Sequence, residues 1–122
     1  MRILGIDPGL QVCGYACVEA DSAGEQLIEA GVFRTIASEP IEQRLNRIAE
    51  DIDAILKKFT PQIVAVEQLY SHYAHPETAI LMGHARGVIL QKTAEAKIEI
   101  KSFSATRIKK SITGNEIGRA HV

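Results

Sequence analysis

"ILGIDPGLQVCGYACVE", residues 3–19, is the stretch on which the reading of the fold turns. Ile3, Leu4 and Ile6, with Gly5 among them, form an apolar run that reads as a buried strand ending on Asp7. A carboxylate at that point must be paired, hold a cation, or cost several kcal/mol if truly buried. Pro8-Gly9 makes a turn, and "CGYACVEA" (13–20) reads as a second strand. "DSAGE" turns the chain again, before "QLIEAGVFRTI" (26–36) gives a third. Connections this short predict an antiparallel meander.

Helix follows the meander. Ser38 is placed to cap it and Pro40 suits its first turn. Ile41, Leu45, Ile48, Ile52, Ile55 and Leu56 recur at spacings of three and four, giving one apolar face, and "FTP" stops the helix. "IVAVE" (63–67) is nearly continuous in apolar residues, as a central strand buried on both faces should be. It too ends in an acid, Glu67. A second helix is expected from Pro76 or Glu77 to about Lys97, with Ala79, Met82, Ala85 and Ile89 on one side. Gly83 and Gly87 lie four apart in it, where a close neighbour could pack on bare backbone. "IEIKSF" (98–103) is a fifth strand, Ser104 a new cap, and "ATRIKKSIT" a third helix ending at Gly114. The order βββαβαβα predicts an α/β fold: a mixed five-stranded sheet flanked by helices, with its first and fourth strands side by side.

With 122 residues, the chain suits one domain. Its 46% apolar and 24% charged residues are the balance of a globular protein. No apolar run approaches a membrane span, and Asp7 interrupts the first one too early for a signal peptide, so a cytoplasmic location is expected. Cys13 and Cys17, four apart on a strand, are too distant for a disulfide and read as buried thiols in a reducing compartment. The net charge of −1 divides unevenly, −6 over residues 1–85 and +5 over residues 86–122. A basic C-terminal third fits a polyanionic partner or an ordinary solvated face.

Binding sites in such sheets lie beyond the carboxyl ends of the strands. If the first and fourth strands are parallel neighbours, Asp7 and Glu67 converge there. A divalent cation such as Mg²⁺ would relieve their repulsion, taking one or two carboxylates plus water and phosphate oxygens. Ordinary ion pairs or loop caps are the other reading, and spacing alone leaves both open.

"GIDPGLQVCGYA" (5–16), "AVEQLYSHYAHPETAILMGHARGVI" (65–89) and "FSATRIKKSITG" (103–114) occur in this order and at this spacing. Together they resemble the RuvC family, bacterial Holliday junction resolvases of the ribonuclease H-like superfamily, over nearly the whole chain as far as about Asn115. The resemblance implies a Mg²⁺-dependent endonuclease, with two ions per complete active site. It also implies a homodimer that makes paired symmetric nicks in four-way DNA junctions during recombination and repair, with a branch-migration helicase complex as a further partner. By resemblance Asp7 and Glu67 are catalytic metal ligands. Tyr70 falls where the family carries an aromatic that contacts unpaired bases, Lys109 at a basic position used on DNA, and Arg107 and Lys110 flank it. Without the resemblance, Tyr70 is a surface aromatic and the three cations are a solvated helix face.

"SHYAHPE" (71–77) departs from the family pattern, which has a Lys-Asn pair and no proline. His72 and His75 form an HxxH without an evident third ligand, so they contact phosphate or face water. His84, where the family often has Gln, reads as helix packing or capping. The family's remaining ligands come from a C-terminal helix with two acids three or four residues apart. After Glu67 the acids are Glu77, Glu95, Glu99 and Glu116, and none forms such a pair. The final "EIGRAHV" back-translates as GAG ATC GGA AGA GCA CAC GTC, which from its second base spells the start of a short-read sequencing adapter. The expectation is therefore an incomplete nuclease domain over 1–115, a non-native tail over 116–122, and a fragment without activity. Two alternatives remain: a protein that binds branched DNA without cutting it and, remotely, a fragment of an actin-like ATPase or sugar kinase.

Overall fold

The structure, a computed structural model, describes residues 1–68 and 75–103. Its elements are β1 (Arg2–Asp7), β2 (Val12–Asp21), β3 (Gly24–Arg34), α1 (Ile41–Phe59), β4 (Ile63–Glu67), α2 (Pro76–Glu95) and β5 (Glu99–Phe103). They build one mixed sheet in the order β3-β2-β1-β4-β5. The meander is antiparallel as expected, while β1 pairs with β4, and β4 with β5, in parallel. The third expected helix lies outside the described residues.

Alternation along the strands decides what packs where. Leu4 and Ile6 of β1 and Val64 and Val66 of β4 are fully buried, and they meet Ile48, Ile52 and Phe59 of α1 and Ala85 and Ile89 of α2. Burying each large side chain contributes roughly 1.5–3 kcal/mol, so this two-helix face supplies the core. Both described helices thus lie on one side of the sheet. The free thiols Cys13 and Cys17 are buried in the same cluster, as small apolar residues.

Boundaries show where local signals were overruled. Pro40, not Ser38, caps α1: its carbonyl accepts from Gln43 and Arg44, and no side chain bonds the helix start. Thr60 ends α1 in the left-handed region (φ 43°), its N–H donating to the Leu56 carbonyl at 2.9 Å. Similarly, α2 stops at Glu95, because Lys97 turns left-handed (φ 61°) and donates to Ala94. The expected close neighbour on the α2 glycines is missing at Gly87, where an added Cβ meets nothing within 4 Å.

Candidate active site

The last register pair of β1 and β4 is Ile6 with Val66, and the next residue on each strand is an acid. Asp7 and Glu67 therefore end adjacent parallel strands at one edge of the sheet. With a two-residue period they share a face with Gly5 and Ala65, opposite the face that meets the helices. Asp7 is exposed, so no burial penalty arises, and its carboxylate makes no ion pair or hydrogen bond among the described residues. Its cross-strand partner is Gly14, which leaves the space beside it open. Half-buried Glu67 sits on a backbone that α2 holds: Arg86 Nε donates to the Glu67 carbonyl at 3.2 Å, and Nη2 donates to Ser102 Oγ at 3.0 Å.

Behind Asp7 the chain is fixed by hydrogen bonds that use no carboxylate. Cys13 Sγ donates to the Gly9 carbonyl at 2.9 Å and accepts from the Gly9 N–H at 3.4 Å. Burial first, then the charges of Asp7 and Asp51, push this thiol up to about 11, against the lowering effect of the Gly9 bond. It therefore stays protonated and remains a donor. Gly9 must lack a side chain, because a Cβ there would overlap the Val12 carbonyl oxygen. From the other side Thr35 Oγ1 donates to the Leu10 carbonyl (2.6 Å) and accepts from Arg44 Nε (2.9 Å).

α1 and α2 both begin at this edge, so their free N–H groups and positive dipole ends favour an anionic ligand there. His75 caps α2 through its carbonyl, which accepts from Thr78 and Ala79, while its exposed side chain makes no cap bond. His84 is exposed on α2. Tyr70, His72, Arg107, Lys109, Lys110 and residues 116–122 lie outside the described residues. Among the described residues no group of three or more His, Cys, Asp or Glu is placed to hold a metal. Also among them, no helix is long and apolar enough to cross a membrane.

Sequence reasoning missed Arg86, Arg44 and Thr35. Arg86 stood within the "GHARG" motif, but nothing in its spacing tells a guanidinium aimed at a strand end from a solvated one.

A mixed sheet of this order, with acids ending its first and fourth strands, defines a ribonuclease H-like α/β protein. The family model for crossover junction endodeoxyribonuclease RuvC matches residues 3–121, and the chain belongs to this family. The RuvC of Rhodopirellula baltica is 44% identical over 118 residues, which are 97% of this chain and 65% of the relative. That of Brachyspira hyodysenteriae is 36% identical over 115 residues, 94% of this chain and 71% of the relative. The chain thus spans about two-thirds of the length of these relatives. A solved structure of T. thermophilus RuvC in complex with Holliday junction substrate superimposes with a TM-score of 0.82 at 27% identity, covering 95% of this chain and 81% of that one. The yeast mitochondrial Holliday junction resolvase Ydc2 shares the fold, with a TM-score of 0.66 at 16% identity.

Proposed function

We propose that the protein is a metal-dependent endonuclease subunit for four-way DNA junctions, with Asp7 and Glu67 as its metal ligands. The observation that carries this reading is the convergence of the two acids at the ends of parallel β1 and β4, one of them exposed with no partner among the described residues. Two hard carboxylate oxygens suit Mg²⁺, which keeps waters and takes phosphate oxygens for the rest of its shell. The metal would activate the attacking water and steady the leaving oxygen of a phosphodiester. The chain's own part is to hold the acids still: Cys13, Gly9 and Thr35 fix the loop after Asp7, and Arg86 fixes the backbone at Glu67. By family resemblance the finer reading is two Mg²⁺ ions per complete site and a homodimer that makes paired symmetric nicks. The same resemblance brings a branch-migration helicase partner to the proposal, and the proposed setting is the cytoplasm.

A second reading has its own observation. With no third ligand beside the two acids among the described residues, the 122-residue chain binds junctions yet cuts them slowly or not at all. The test is a junction-binding assay in EDTA followed by Mg²⁺ addition with protein in excess. Preference for the junction over duplex DNA of equal length supports the family reading, and loss of that preference sinks it. Nicking after Mg²⁺ addition discards the inactive fragment. We also propose that 1–115 is nuclease domain and 116–122 a non-native tail. Sequencing the source DNA past codon 115 decides this, since a frame that encodes the same ending and stop refutes it.

A further inference from the structure

The edge that carries the acids also carries arginines without a carboxylate ion pair among the described residues, although Arg47 acts electrostatically on Asp51 one turn further along α1. Arg34 ends β3, Arg44 and Arg47 stand in the first two turns of α1, and Arg86 reaches the edge from α2. None of the four makes an ion pair among the described residues. Elsewhere cations find carboxylates: Arg2 pairs with Glu19, Lys58 with Glu29, and Lys92 with Asp53 and Glu95. Those pairs lie in the half of the sheet away from Asp7 and Glu67. The chain has 15 acids for 14 basic residues, so arginines gathered at one edge with no ion pair among the described residues reflect placement and not a shortage of partners.

Arg44 is the most constrained of them. Its Nε is spent on Thr35 Oγ1, which leaves the two terminal amino groups without a protein partner among the described residues. An open groove of about 500 Å³ lies against it, lined also by Asp7, Gln11, Thr78, Leu81 and Met82. A guanidinium held by one nitrogen presents its remaining donors as a rigid fork, the geometry that matches phosphate oxygens. Arg47, three residues on, is its neighbour on the helix surface, while Arg34, paired with Val12, lies on the other face of the sheet, the one that carries the acids.

We propose that Arg44, with Arg47, forms a track for the backbone phosphates of one DNA strand on the α1 side of the acids. The proposal rests on the nuclease reading and extends it: DNA contact reaches into the −6 part of the chain, beyond the basic C-terminal third. A phosphate track of this kind fixes the register of the strand without reading its bases.

The test follows binding of the 122-residue chain to a four-way junction in EDTA across a salt series. Arg44→Ala and Arg47→Ala each weaken binding about tenfold and lower the slope of log affinity against log salt by about one. Lys57→Ala removes an exposed cation from the far half and leaves the slope unchanged. Thr35→Val loosens the anchor but keeps the charge, so it costs affinity without lowering the slope, even where its melting midpoint drops. Unchanged slopes in Arg44→Ala and Arg47→Ala, with wild-type binding intact, overturn the track and leave the nuclease reading standing. An equal loss of slope in Lys57→Ala overturns it as well, because any cation would then serve. A wild-type chain that binds no junction overturns the nuclease reading and the track with it.

Discussion

At the end of the sheet where β1 begins, cations meet carboxylates. Arg2 and the terminal amino group share Glu19, while Lys92, on the same half, bridges Asp53 and Glu95. At the end where β1 stops, the holding contacts go to backbone carbonyls: Cys13 to Gly9, Thr35 to Leu10, Arg86 to Glu67. Exposed ion pairs add little stability, so the far half loses nothing by using them. At the acid edge an ion pair would occupy the very oxygens and nitrogens that a metal or a phosphate needs. Backbone-directed latches give rigidity there, and among the described residues the Asp7 carboxylate and the terminal nitrogens of Arg44 stay open to a ligand.

Several substitutions would break or sharpen this contrast. In a gene product carrying the complete acid set, Asp7→Asn or Glu67→Gln should reduce junction cleavage at least about a hundredfold while binding in EDTA persists. Cleavage at the wild-type rate by either variant removes that acid from the site. The Cys13 latch sets an alkaline limit. Its thiol ionises near 9.0 when unfolded and near 11 when folded, so the stability it gives is whole below pH 9 and fades as pH rises towards 11. That loss is about 3 kcal/mol, from two pH units at ~1.4 kcal/mol each. Urea titrations at pH 8 and above pH 10 should show it in the wild type, and Cys13→Ala should lack that component.

Gly9→Ala forces the loop off the Val12 carbonyl, and a loss of about 2 kcal/mol is expected in the same urea titration. An unperturbed Gly9→Ala would mean that the turn after Asp7 has slack and that the acid is not held as described. The smallest effect belongs to the far half: Lys58→Ala removes the exposed pair with Glu29 and should leave the unfolding midpoint unmoved. A large drop there would show that ion pairs, and not only the latches, carry stability.

Much of the fold was legible because its signals are local. Apolar runs and short turns gave β1 to β5, a three-and-four spacing gave α1, and the acids after "GI" and "AV" marked two strand ends. Ser38 misled because capping preference is local, whereas the path from β3 into α1 is set by Thr35 bonding across to Gln11 and Leu10. The α2 glycines misled for a similar reason: a bare position invites a neighbour only if the fold brings one, and at Gly87 none comes.

By itself the sequence determined the strand and helix order, through periods of two and of three to four, and an acid at the end of β1 and of β4, while the order and spacing of its motifs carried the resemblance to the family. Only the tertiary structure decided that Arg86 holds the backbone of Glu67, 19 residues back, that Cys13 latches the loop after Asp7, and that Arg2 meets Glu19 and Lys92 meets Asp53 at the end away from Asp7. Those outcomes follow from the parallel register of β1 on β4 and from where α1 and α2 cross the sheet. Such geometry is a property of packed surfaces, and no spacing along the chain encodes it.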